Sequence, residues 1–237
     1  MNFFQLSTTR HPANGSLAIA TVEIFVDRQQ KNTMHELRVC FIGDSFVNGS
    51  GDPEYLGWTG RICTAAPNRG VSLTHYNLGV RGETSVQIAQ RWLGEVTRRI
   101  PAATNGRVVF SFGTNDTNRL DERTTWVKSA ASVAATRQIL RAATARYPVL
   151  FVGPPPVTDR AQSDRIAALS DLLAKTCGEF AVPYLDVFAP LQRSVVWQQE
   201  VAAIDGAHPQ AAGYAELAAL VSQWDPWQTW LRDPQKR

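Results

Sequence analysis

The 237-residue sequence has no uninterrupted apolar stretch of the roughly 18–20 residues that a bilayer-spanning helix needs. The N-terminal segment does not read as a secretory leader either. The most apolar early segment, Leu17 to Val26, contains Glu23 and lacks both a charged start and a clean cleavage site. Cysteine is scarce: Cys40, Cys63 and Cys177 are odd in number, widely spaced and form no C-x-x-C pair. That count offers no C-x-x-C metal or redox pair and is consistent with a reducing compartment; with neither a span nor a leader read, a cytoplasmic protein is expected. Charge of one sign is scarce too. Lys+Arg is 24 against Asp+Glu 21, a formal excess of +3 with no block of like charges, so no nucleic-acid footprint is read from it.

What is present is a core. Hydrophobic residues make up 44% and charged residues 19%, the balance of a globular α/β domain that needs no staple. The first 33 residues differ from the rest, with polar stretches at Thr8–Ser16 and Asp27–Thr33. Two expectations follow for residues 1–33: an appendage whose Leu17–Val26 adds an edge strand, or a gene-model artefact with Met34 as the true start. Residues 34–237 form the expected main domain.

Short apolar runs at Val39–Ile42, Val71–Leu78, Val108–Phe112, Val149–Val152 and Val182–Val187 are bounded by Gly, Pro or Asn and predict five strands. Their near-continuous apolar character predicts helical cover on both faces. Between and after them, helices are expected at Thr84–Arg99, which opens with the capping-box pattern Thr84-x-x-Gln87, and at Thr125–Tyr147, Arg160–Phe180 and Ala211–Trp224. Alternation of strand and helix implies a three-layer α/β/α sandwich around a five-stranded parallel sheet, with ligands bound at the carboxyl ends of the strands.

Four motifs fall at those ends. Ser45, in Gly43-Asp44-Ser45, follows the first strand and is placed to project its hydroxyl and its N–H into the crevice. Gly79, in Asn77-Leu78-Gly79, has no side chain to keep its N–H from a substrate oxygen. Asn115, in Gly113-Thr114-Asn115-Asp116, offers a neutral amide donor suited to an oxyanion. In Asp205-Gly206-Ala207-His208, the three-residue spacing can set a carboxylate against imidazole Nδ1 and leave Nε2 for a serine proton. Each alone reads equally well as a capping or turn residue; their joint order on one sheet is the informative signal.

From about Leu37 to Ser222 the chain resembles the SGNH hydrolases, the GDSL esterase and lipase superfamily, on Ser45, Gly79, Asn115 and His208 with Asp205 preceding it. The resemblance implies a flavodoxin-like fold and carboxylic-ester hydrolysis. Ser45 would be nucleophile, His208 general base and acid, Asp205 its orienting carboxylate, and Ser45 N–H, Gly79 and Asn115 the oxyanion hole. Phe46 stands where the name-giving motif usually has Leu.

No metal or other cofactor is called for, and the expected partner is a small ester or thioester. Two other readings remain at this point, a flavodoxin-like non-enzymatic binding protein and a degenerate hydrolase. The acidic Asp44, Asp52 and Glu54 disfavour a phosphate cradle, and retention of every proposed reacting group disfavours degeneracy. The Gly153-Pro154-Pro155-Pro156 loop and Trp197 are candidates either for pocket wall or for scaffold, and Arg81 for anion contact or plain surface. Trp224, Trp227 and Trp230 are candidates for packing on the domain or for a homodimer contact.

Overall fold

The computed structural model describes residues 35–64 and 70–232, so the expectations for residues 1–33 and for a boundary at Met34 lie outside the described residues. Five strands form one parallel sheet: β1 (His35–Gly43), β2 (Val71–Gly79), β3 (Gly106–Ser111), β4 (Val149–Val152) and β5 (Tyr184–Leu185). Their order is β2-β1-β3-β4-β5, the doubly wound order of flavodoxin-like sheets. The chain leaves β1 for β2 on one side and returns to β3 on the other. The crevice outside the ends of β1 and β3 is therefore the topological switch point.

Helices cover both faces. On one lie α1 (Ser45–Asn48), α2 (Gly57–Thr64), α6 (Phe188–Arg193), α7 (Val195–Ala203), α8 (Ala211–Gln223) and α9 (Asp225–Arg232). On the other lie α3 (Ser85–Arg99), α4 (Ser129–Thr144) and most of the buried face of α5 (Arg160–Glu179). β1 divides its side chains accordingly: Leu37, Val39 and Phe41 enter the first core, Cys40 and Ile42 the second. A strand sandwiched in this way needs apolar residues on both faces, which is why it shows no polar alternation. β2 departs from that expectation. As an edge strand it buries only Val71 and Leu78 and exposes His75.

Other elements differ from the sequence expectation for local reasons. The fourth helix begins at Ser129 rather than Thr125, because Arg119 and Thr125 pair in a small antiparallel bridge and Trp126 N–H donates to Asn118 O at 2.7 Å. β5 keeps two residues of the expected six, since only Tyr184 and Leu185 find partners on β4. α3 starts as expected: Gln87 Oε1 accepts from Thr84 N–H at 2.9 Å. Trp227 and Trp230 are buried in the first core, Trp227 6.0 Å from the Phe41 ring, so they pack on their own domain. All three cysteines are buried free thiols, each pushed up to about 12 by burial.

Register brings three strand ends to one level, with Gly43 opposite both Gly79 on β2 and Ser111 on β3. Gly43 has no room for a side chain: an added Cβ would lie 1.8 Å from Ser111 O and 2.6 Å from Val47 Cγ2. Backbone cannot yield cheaply, so Gly43→Ala is expected to destabilise the fold by about 1–3 kcal/mol or more. Chemical denaturation checks this, and an unchanged midpoint would contradict the close packing.

Candidate active site

The serine enters through a tight turn. Asp44 caps α1, its Oδ1 accepting from Phe46 N–H at 3.0 Å, and Gly49 closes the helix with φ 86°. Ser45 therefore sits in the first turn, its side chain in the crevice and its N–H without an acceptor among the described residues. From the other side of the chain comes the segment between α7 and α8. Asp205 Oδ1 accepts the N–H groups of Ala207 at 2.9 Å and His208 at 2.8 Å, and Gly206 turns with φ 79°. That folds the carboxylate onto its own histidine: His208 Nδ1 is 2.7 Å from Asp205 Oδ2, and His208 Nε2 is 2.7 Å from Ser45 Oγ.

Two groups not singled out in the sequence, Glu200 and Tyr214, help to hold this arrangement. Glu200 accepts the N–H groups of Gln210 at 2.8 Å and Gly213 at 2.6 Å, capping the start of α8 just beyond His208. Tyr214 Oη donates to Ser50 O at 2.8 Å and ties α8 to the serine loop. Phe46 lies beneath the histidine, its ring centroid 5.1 Å from that of His208, and stacks on Trp197 at 6.3 Å. Trp197 is fully buried and donates from Nε1 to Pro156 O at 3.1 Å; with the buried Pro154–Pro156 run it is scaffold, not pocket wall. Arg81 is exposed.

On the opposite side stand Gly79 and Asn115. A Cβ on Gly79 would lie 2.2 Å from Asn48 N, so a bare backbone is required where β2 passes the serine loop. Its N–H donates to Asn77 Oδ1 at 3.0 Å, while Asn77 Nδ2 donates to Val47 O at 2.7 Å. Asn115 opens a single 3-10 turn (Asn115–Thr117), and one amide hydrogen reaches Glu83 O at 3.0 Å, leaving the second for another acceptor. Asp116 anchors that turn from below, accepting Ser85 N–H at 2.8 Å and Ser85 Oγ–H at 2.5 Å. Arg91 Nη2 donates to Leu78 O at 2.8 Å, and its Nε pairs with Glu83.

Electrostatics separates the carboxylates. For Asp205, partial burial acts to raise the pKa, but the His208 and Ala207 N–H groups and the His208 ring outweigh it and hold the carboxyl at about 2. Asp44 is the reverse case. Burial raises it to about 7, the Phe46 N–H opposing and Asp116 and Glu83 reinforcing the shift, and its Oδ2 has no hydrogen-bond partner. Burial raises Asp116 too, its serine partners opposing. Among the described residues no three His, Cys, Asp or Glu side chains group as a metal site, and no helix is long and apolar enough to cross a membrane.

The sequence matches the GDSL-like Lipase/Acylhydrolase family over residues 41–216. Among curated proteins none matches significantly. Solved structures share the fold. A lipase/acylhydrolase from Enterococcus faecalis superposes with a TM-score of 0.66 at 20% identity, covering 84% of this chain and 99% of that one. An acetylxylan esterase from Geobacillus stearothermophilus gives 0.65 at 17% identity, covering 84% and 94%. An α/β hydrolase from the metagenome of Lake Arreo, Spain, gives 0.64 at 18% identity, covering 84% and 96%.

A carboxyl raised in the folded state binds its proton more tightly folded than unfolded. Stability contributed at Asp44 therefore falls as pH rises from the ordinary carboxylate range through about 7. Asp44→Asn removes that loss. Its stability relative to the parent is expected to increase between about pH 4 and about pH 8, by about 4 kcal/mol at most. Thermal denaturation across that range checks it; a difference that does not vary with pH would contradict the buried acid.

Proposed function

Because the chain belongs to the GDSL-like lipase/acylhydrolase family and is a carboxylic ester hydrolase, we propose that it cleaves small esters by acyl transfer to Ser45. The non-enzymatic reading of the fold thereby falls away. The observation that carries the proposal is the unbroken run Asp205 Oδ2, His208 Nδ1, His208 Nε2, Ser45 Oγ, with 2.7 Å at both contacts.

His208 takes the hydroxyl proton as Ser45 Oγ attacks the ester carbonyl, and Asp205, ionised at every ordinary pH, stabilises the imidazolium that forms. The oxyanion meets the open Ser45 N–H and the second amide hydrogen of Asn115. Gly79 N–H, held by Asn77 Oδ1 in the resting site, contributes as the shared donor of a three-centre bond. His208 then protonates the departing alcohol, and water repeats the sequence on the acyl-enzyme. The low pKa of Asp205 supports its orienting role, because a protonated carboxyl could not stabilise a cation.

Removal of one oxyanion donor costs about 2.7–4 kcal/mol of transition-state stabilisation. Asn115→Ala is therefore expected to lose about a hundredfold or more in kcat on p-nitrophenyl acetate, with KM little changed. Ser45→Ala is expected to lose turnover altogether. Circular dichroism verifies that both fold; near-parental kcat in a folded Asn115→Ala would remove Asn115 from the oxyanion hole.

A further inference from the structure

The chain after Asn115 makes a short hairpin from polar parts alone. Leu120 N–H donates to Thr124 O at 2.9 Å, and Asp121 Oδ1 accepts from the N–H groups of Arg123 and Thr124, each at 2.7 Å. Such a turn needs no apolar side chains. It nevertheless presents Leu120 at 68% exposure and Trp126 at 45%, facing Val86 at 37%. These three, with Gly82, Thr84 and Ala131, line a groove of about 580 Å³ between the first turns of α3 and α4. Large apolar side chains gathered around an open cavity, rather than scattered singly, mark a binding surface.

Both walls of the groove are tied to the turn that carries Asn115. Trp126 N–H donates to Asn118 O at 2.7 Å and Val127 N–H to Asp116 O at 3.1 Å, so one wall hangs from the Asn115 turn. Asn115 Nδ2 donates to Glu83 O at 3.0 Å, between Gly82 and Thr84 of the other wall. Its side of the sheet also matters. His208 arrives with α8, which packs in the core of α2, α7 and α9, whereas α3 and α4 pack in the core beyond the sheet.

A tetrahedral carbon on Ser45 has four substituents. Oγ is below it, the oxyanion points to its donors, and the leaving oxygen must face His208 Nε2 to be protonated. The acyl substituent takes the remaining direction. We infer that the groove bounded by Leu120, Trp126 and Val86 receives the acyl chain of the ester, and that this chain, not the alcohol, is what the enzyme reads by length. The inference rests on the serine acyl-transfer reading above.

Each buried methylene should raise kcat/KM by about fourfold until the groove is filled. Two ester series separate the occupants: p-nitrophenyl esters from acetyl to octanoyl, and acetate esters of alcohols from methyl to hexyl. Trp126→Ala, which opens the groove, and Ala131→Phe, which fills it, are each expected to lower the hexanoyl-to-acetyl ratio of kcat/KM by about tenfold. Neither should alter the ratio between long and short alcohols. An unchanged acyl ratio in both variants, or a shift confined to the alcohol series, would overturn the groove assignment. Ser45→Ala run on the same substrates keeps the two readings apart. Undiminished turnover there overturns the serine reading, whereas loss of turnover with unaltered acyl ratios in the groove variants overturns the groove alone.

Discussion

One contact organises the molecule: the 2.7 Å approach of His208 Nε2 to Ser45 Oγ, which joins residues 163 apart in sequence. Nothing local to either residue makes it. It exists because a parallel sheet delivers the serine at the switch point between β1 and β3, while α8 packs along α2 and carries the histidine to the same level. The devices around it each remove a freedom that would separate the pair. Gly51, with φ 90°, lets the serine loop pass so close to the histidine that a Cβ there would lie 3.1 Å from His208 Cβ. Glu200 pins the start of α8, and Phe46 gives the imidazole a floor. Positioning of this kind matters because proton transfer and attack fall off steeply with small displacements.

The carboxylates of the site illustrate how environment sorts identical groups. Asp205 keeps partial contact with water and receives two backbone N–H bonds, so its charge persists. Asp44, one residue before Ser45, is enclosed and its Oδ2 has no hydrogen-bond partner, so its charge is disfavoured. Asp116 is raised by burial as well, with serine hydroxyls opposing the shift. On the proposed mechanism, a second full charge beside Ser45 would oppose the developing oxyanion. A buried acid near its neutral form spares the site that repulsion.

Much of this was legible from residue order, and the failures have physical causes. β4 was read to the residue, because an apolar run between Pro148 and Gly153 leaves little choice. The residues proposed to react could be singled out because each follows a strand or precedes the last sheet-facing helix, where side chains face the crevice. β5 was overextended, because an apolar run does not say whether a neighbouring strand is long enough to pair with it. The helix read from Thr125 began four residues later, since the bridge between Arg119 and Thr125 outcompetes helical propensity, and that hairpin is what creates the apolar groove. The bond from Gly79 N–H to Asn77 and the support from Glu200 depend on side-chain directions that spacing does not encode.

Ser45 is proposed to be a nucleophile because His208 is held against it. Reaction with a fluorophosphonate, followed by peptide mass spectrometry, tests this most directly. One equivalent is expected to bind at Ser45 in the parent, and to form about a thousandfold or more slowly in His208→Gln. Label on another residue, or labelling of Ser45 undiminished by loss of the imidazole, would contradict it.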